Sequence, residues 1–190
     1  MNEEFSYQFY ATTKEAWAAM LEAITLAKKS IFWEIFIFVD DEIGKKFIDI
    51  LEKKSREGIE IKMVIDGIGS YSFSKDAEKK LRAAGVEVLT YNPVYPELSV
   101  RSWLRRVFNR NHRKVLIVDC ETVFLGGVNV RDRFNTWDDL YLKIVGPVAR
   151  PLLRGFAKSY ISAGGNKYKV RHLLHPKLRG LQEWKQKLKF

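Results

Sequence analysis

The sequence has 190 residues, 46% hydrophobic and 29% charged, enough for one soluble domain with a proper core and short for two. Its 33 Lys and Arg against 23 Asp and Glu leave a formal charge of +10, which points to solubility or to an anionic partner, a membrane surface or a nucleic acid, without choosing between them. Cys120 is the only cysteine, so an internal disulfide and a cysteine-rich metal site are excluded and a reducing compartment is expected.

The N-terminal MNEEFSYQFY is acidic and aromatic, unlike a signal peptide. Thr12-x-x-Glu15 has capping-box spacing and predicts a helix to about Lys29. A strand over 31–39 follows, rich in β-branched and aromatic residues. Glu34 interrupts this most apolar run, which is also far too short to span a bilayer, so membrane contact is expected to be peripheral, at the inner face of the cell membrane. Asp40-Asp41 opens a second helix with Ile43, Phe47, Ile50 and Leu51 at helical spacing, closed by Gly58. Residues 59–65 read as a strand, Asp66-Gly67 as a turn, 74–84 as a third helix closed by Gly85, and 86–91 as another strand.

This alternation predicts an α/β fold with parallel neighbouring strands. The pattern then changes. Residues 92–111, with Pro93 and Pro96, read as a loop, and strands at 113–119 and 122–126 read as a hairpin. A strand over about 139–145 and a last core helix follow. From Gly164 onward eight Lys or Arg stand against the single Glu183, so 1–163 is expected to be the domain and 164–190 a basic linker or surface extension. Trp103, Leu104, Val107 and Phe108 interleave with Arg101, Arg105, Arg106 and Arg110; this is either a membrane-contacting amphipathic segment or a short helix packed on its own domain.

The chemistry is carried by Asn111-His112-Arg113-Lys114 and, beyond the next strand, Gly126-Gly127-Val128-Asn129. Residues two apart on a strand share a face, so His112 and Lys114 point the same way. Together they address one phosphate, the imidazole attacking phosphorus and the ammonium neutralising its oxygens. Asp119 lies an odd number of residues from His112, faces away, and is expected to position the structure. The glycine pair lets backbone approach a bound anion, and Asn129 offers it an amide donor. Asp139, with Asp138 as fallback, is expected to fix the histidine tautomer. Glu34 is either paired to a buried cation or faces the site.

His112-x-Lys114-x4-Asp119-x6-Gly126-Gly127-x-Asn129 resembles the HKD motif of the phospholipase D superfamily. Ile35-Phe36-Ile37-Phe38-Val39-Asp40-Asp41-x-x-Gly44, Asp66-Gly67-x-Gly69-Ser70 and Trp137-x-Asp139-x-x-Leu142-x-Ile144-x-Gly146-Pro147 are similar to the N-terminal half of bacterial cardiolipin synthases. The resemblance covers about residues 5–160. It implies a single phospholipase D-like lobe, a mixed, largely parallel β-sheet flanked by helices. It implies phosphatidyl transfer through a phosphohistidine, without metal or cofactor. The catalytic set carried over is His112, Lys114, Asp119, Asn129 and Asp139. Lys114, Asn129 and Gly127 would hold the phosphate, and Glu34 would stand behind them.

The family places Ser at Gly127 in many members, and its site is built from two HKD motifs. This sequence has one. His175-Pro176-Lys177 imitates a second start, but Gln182 replaces the aspartate and Pro176 opposes a central strand. A second HKD lobe is therefore expected as partner, by homodimerisation or from a further lobe, along with an anionic phospholipid resembling phosphatidylglycerol. The competing readings are a homodimeric phosphodiesterase nuclease acting on nucleic acid and a non-catalytic membrane-binding lobe.

Overall fold

In chain order the elements are β1 (Ser6–Thr12), α1 (Thr13–Leu26), β2 (Ser30–Ile35), α2 (Glu42–Arg56), β3 (Glu60–Asp66), α3 (Lys75–Ala83) and β4 (Glu87–Tyr91). Then come β5 (Val115–Val118), β6 (Thr122–Gly126), β7 (Asp138–Val145), α4 (Ala149–Ser162) and the short α5 (Arg171–Leu174). They are taken from a computed structural model that describes residues 6–93, 107–147 and 149–174. Most of the Trp103 segment and the His175-Pro176-Lys177 sequence lie outside those residues.

The strands form one seven-stranded mixed sheet, ordered β1-β7-β6-β5-β2-β3-β4. The parallel pairings are β2 with β3 and β3 with β4. β5 runs antiparallel to β2, and β6, β7 and β1 continue antiparallel from it. Helices flank the sheet, so the expected α/β class with a mixed sheet holds, but the sheet is not largely parallel: only the pairings among β2, β3 and β4, whose crossovers are α2 and α3, are parallel, and the other four are antiparallel. β1 is an addition. Of its residues only Tyr10 is buried, so burial hardly marks it, and pairing with β7 makes it a strand.

Ile31, Trp33, Ile35, Met63, Leu116, Phe124 and Tyr141 form one face with Met20, Ile24, Phe47 and Leu51 of α1 and α2. Phe32, Val64, Val115, Ile117 and Val123 form the other, beneath Leu153, Phe156 and Tyr160 of α4. Phe156 stacks on Phe32 at 5.3 Å between centroids. Val170 and Leu173 are also buried there, so packed structure extends past Gly164 into the basic stretch.

Thr12 caps α1 by accepting the Glu15 N–H at 3.3 Å, as its spacing predicts. The helix stops at Leu26 rather than near Lys29, because another acceptor takes the following amides. Asp119 accepts the N–H groups of Lys28 at 2.9 Å, Lys29 at 2.7 Å and Ser30 at 3.0 Å. It sits with Cys120 in a tight turn between β5 and β6, both residues at positive φ (53° and 62°), the backbone that matches strand twist in a two-residue hairpin. β2 in turn ends at Ile35, short of Val39. There the chain leaves the sheet, Ile37 and Val39 exchanging backbone hydrogen bonds with Val130 at 2.9 and 3.1 Å.

Three charge-assisted bonds at Asp119 predict that Asp119→Ala lowers stability by about 2 kcal/mol, the range for hydrogen bonds to a charged group. Urea unfolding measures it; an unchanged midpoint would remove Asp119 from the scaffold.

Candidate active site

The HKD-like segment crosses the C-terminal ends of β2 and β3, where α/β sheets place their ligand sites. A buried carboxylate holds it there. Asp66, the last residue of β3, is fully buried and accepts the N–H groups of Ile68 at 2.9 Å and Gly69 at 3.0 Å. It also accepts the Asn111 N–H at 2.9 Å and the Arg110 guanidinium through Nε at 3.0 Å and an Nη at 2.8 Å. Arg110 donates further to the carbonyls of Tyr91 and Asn92 at 3.2 and 3.0 Å. The turn after β3, the end of β4 and the motif are thus fastened at one point.

From Asn111 the side chains alternate. Asn111 and Arg113 turn toward α4: Asn111 Nδ2 donates to Glu34 Oε1 at 2.6 Å, and an Arg113 Nη lies 3.3 Å from Glu34 Oε2. The same guanidinium reaches Ser159 of α4 at 3.4 Å. Glu34, fully buried on β2, therefore faces a cation, although Arg113 is half-buried and not the buried cation of the first sequence reading. Arg113, Ser159, Tyr91 and Lys158 line a pocket of about 210 Å³ on this side.

His112 and Lys114 turn the other way and are brought together. His112 is exposed, its ring against Phe36 at 4.6 Å between centroids. Lys114 is buried; its Nζ donates to the His112 carbonyl at 3.0 Å and lies 3.3 and 3.1 Å from ring atoms Nδ1 and Nε2. An ammonium so nearly equidistant from both nitrogens would overlap Cε1 if it lay in the ring plane. It therefore sits over the imidazole face and does not itself occupy the in-plane lone-pair direction. It also lies 5.2 Å from the Phe36 ring centroid, within cation–π range. Burial and then the Lys114 charge hold the His112 pKa below the ordinary imidazole value, against an opposing pull from Asp66, so the ring is neutral at pH 7. Burial likewise lowers the Lys114 pKa, with Asp139 opposing it.

Phe36, which the sequence reading passed over, is held by the Asp66-Gly67-x-Gly69-Ser70 turn. Ser70 Oγ donates to the Phe36 carbonyl and accepts the Phe38 N–H, both at 3.0 Å. A Cβ at Gly69 would come within 2.2 Å of that carbonyl oxygen, so only glycine admits Phe36 to its place. Nothing in sequence spacing pairs Asp66 with Arg110, and that link too was missed.

Asn129 Oδ1 accepts the Ile37 N–H at 3.0 Å, its Nδ2 reaches the Gly127 carbonyl at 3.4 Å, and its own carbonyl accepts the Trp17 indole N–H at 2.8 Å. The space at Gly127 is taken by Asp139, whose carboxylate oxygens would stand 2.0 and 2.4 Å from a Cβ there. Among the described residues no hydrogen bond joins Asp139 to the imidazole: its carboxylate lies against Gly127 and acts on Lys114 by charge. Asp138 is exposed. Asp119 stands at the opposite end of β5. Among the described residues no helix is long and apolar enough to cross a membrane.

Residues 20–147 match the family described as "Cardiolipin synthase, PLD-like domain". Cardiolipin synthase 1 of Bacillus anthracis is 34% identical over 164 residues, covering 81% of this chain and 31% of that protein. Cardiolipin synthase of Clostridium perfringens (strain 13 / Type A) is 37% identical over 144 residues, 72% of this chain and 29% of that protein. The chain thus spans about a third of the length of the curated relatives it matches. Among solved structures, the phospholipase D family member Nuc from Salmonella typhimurium has a TM-score of 0.61 at 23% identity, covering 84% of this chain and 96% of that one. Phosphatidylserine synthase of Haemophilus influenzae Rd KW20 has a TM-score of 0.66 at 17% identity, covering 95% of this chain and 46% of that one. Both share the fold.

Removing one partner of a buried ion pair costs about 3–5 kcal/mol, so Asp66→Ala is expected to destabilise the chain by that amount. A denaturant midpoint close to the wild-type value would show that Asp66 does not fasten the motif.

Proposed function

The chain belongs to the family described as "Cardiolipin synthase, PLD-like domain", and from that premise we propose that it is one half of a phosphatidyltransferase site, with His112 as nucleophile. The observation that carries this reading is the ammonium of buried Lys114 lying over the face of the exposed His112 imidazole, whose pKa burial and that charge hold down. A neutral ring nitrogen is a nucleophile, and a fixed cation beside it stabilises charge building on phosphate oxygens.

His112 attacks the phosphorus of a phosphatidylglycerol-like diester. The bond from phosphorus to the departing alcohol breaks, and that alcohol takes a proton from the histidine of a second HKD lobe. The N–P bond of the resulting phosphohistidine is then broken by an incoming alcohol or water. The second histidine takes the incoming proton, and His112 returns neutral. Lys114 neutralises the non-bridging oxygens, aided by an N–H of Asn129 and the backbone near Gly127. Asp139 opposes the lowering of the Lys114 pKa by burial. Asp119 and Glu34 act through the scaffold, one at the hairpin turn and the other through Asn111 and Arg113. No metal or cofactor enters this scheme. The second lobe comes from another copy of the chain, and the substrate lies in an anionic membrane that the chain meets peripherally, on its cytoplasmic side.

A net charge of +10 also supports a second reading, cleavage of nucleic acid by the same phosphodiester chemistry in a homodimer. Purified chain offered phosphatidylglycerol vesicles and single-stranded DNA separates the two. Cardiolipin formed by wild type and not by His112→Ala supports the transferase, phosphatidic acid with the same dependence supports hydrolysis of the same lipid, and DNA cleavage with that dependence supports the nuclease.

The pH profile adds a sign. The nucleophile must be unprotonated, so the acid limb of kcat/KM is expected below the ordinary imidazole pKa of about 6.5. Lys114→Gln removes a charge that lowers the His112 pKa, so its acid limb moves to higher pH while kcat falls about 10²–10³-fold. A limb that stays in place or moves down would detach Lys114 from the imidazole.

A further inference from the structure

Helix α4 carries Arg150, Arg154 and Lys158 and no carboxylate. Its buried stripe, Leu153, Phe156, Ala157 and Tyr160, packs on the sheet. Away from that stripe, Gly155, Lys158, Ser159 and Ser162 recur at steps of three and four and so share one side of the helix. This small, polar side lines the pocket of about 210 Å³, together with Tyr91 at the end of β4 and with Arg110, Asn111 and Arg113 of the HKD-like segment. Asn111 and Arg113 turn toward α4 while His112 and Lys114 turn the other way, so the pocket lies on the reverse side of the segment from the imidazole. Two features of it point to an anion. Arg113 is a cation with donors to spare: among the described residues its side chain makes one hydrogen bond, to Ser159 at 3.4 Å, and Glu34 Oε2, 3.3 Å from an Nη, has no hydrogen-bond partner. The helix makes room for this guanidinium. A Cβ at Gly155 would stand 2.6 Å from one Nη and 3.1 Å from the other, so a residue that is unfavourable inside a helix is what admits Arg113. Lys158 supplies the second feature. It is exposed and, among the described residues, has no hydrogen bond or ion pair. The carboxylates facing the two lining arginines, Asp66 and Glu34, are fully buried. Three cations thus line the pocket against two carboxylates, and the Lys158 charge is left without an opposite.

We infer that this pocket is a second anion site, which binds a phosphate group between Arg113 and Lys158, either the headgroup phosphate of an acidic lipid or a free phosphate. The planar fork of a guanidinium matches two oxygens of one phosphate, the ammonium of Lys158 neutralises their charge, and the hydroxyls of Ser159 and Ser162 are further donors. A phosphate held there ties α4 to the segment that carries His112, from the side that the imidazole does not face. The site stands on the pocket and its charges, and holds whether or not the chain is a phosphatidyltransferase.

Amide NMR of the full, nitrogen-15-labelled chain, titrated with inorganic phosphate at constant ionic strength, tests this. Saturable shifts are expected at the amides of Lys158, Ser159 and Ser162 and at the Arg113 Nε–H. Phosphate beside His112 would shift a different set, around Gly127 and Asn129; Lys114→Gln is expected to weaken that set and leave the α4 set in place. Lys158→Glu, at an exposed position, should raise the dissociation constant read on α4 by roughly tenfold or more. Arg154→Glu makes the same change of charge outside the pocket lining and should alter it by less than about twofold. Circular dichroism verifies that both variants fold. No saturable shift on α4 in wild type, no weakening by Lys158→Glu, or equal weakening by the two variants overturns the site. Cosedimentation with phosphatidylglycerol vesicles then separates the sources. Vesicle binding weakened by Lys158→Glu and not by Arg154→Glu assigns the pocket to a lipid headgroup, and vesicle binding that is the same in both variants assigns it to a free phosphate.

Discussion

The Asp66 carboxylate, buried at the end of β3, is the point on which the site depends. A β-strand ending in a buried charge is unfavourable unless every lone pair is used, and here the backbone of the next turn, the Asn111 amide and the Arg110 guanidinium use them. Each donor satisfied is also a segment placed. The turn that Asp66 closes carries Gly69 and Ser70, which seat Phe36 against the imidazole, while Arg110 and Asn111 deliver the chain into the HKD-like segment. A single desolvated charge thereby sets both the ring and the surface it rests on.

Alternation does the rest. Once Asn111 is anchored, successive side chains fall on opposite sides, and each side has its own electrostatics. Toward α4, buried Glu34 draws in Asn111 and Arg113, which prevents the segment from rolling about its own axis. Away from α4, Lys114 and His112 face one another, and the Asp139 charge acts on the ammonium. The arrangement opposes two effects: burial and a neighbouring cation keep the imidazole neutral, while a nearby carboxylate counters the tendency of burial to discharge the lysine. A neutral nucleophile next to a charged clamp is the combination that attack on a phosphodiester requires.

Local signals were legible where the chain itself supplies the partner. Thr12-x-x-Glu15 named the start of α1, and the spacing of His112 and Lys114 placed both on one side of the chain; Asp119 does lie away from them, but because it sits in the turn past the far end of β5 rather than through strand alternation. Legibility failed where a distant group decides. α1 ends early because Asp119, some ninety residues on, takes its trailing amides. β2 stops at Ile35 because Val130 and Ser70 draw the following residues away from the sheet, although their composition continues the strand pattern. β1 is a strand through its pairing with β7, with a single buried side chain to mark it. Val170 and Leu173 were hidden by the lysines and arginines around them. Asp139 was assigned to the imidazole from its place before an apolar strand, and the fold instead sets it against Gly127, where the missing side chain leaves room for a carboxylate.

The most direct test of His112 as the attacking group is rapid-quench mass spectrometry of the chain mixed with phosphatidylglycerol vesicles, followed by peptide mapping under alkaline conditions that preserve phosphoramidates. The account predicts a phosphatidyl or phosphoryl adduct on the peptide containing His112, formed and lost at rates consistent with turnover and absent from His112→Ala. Steady turnover with no adduct on that peptide, or with an adduct on another residue, would contradict it.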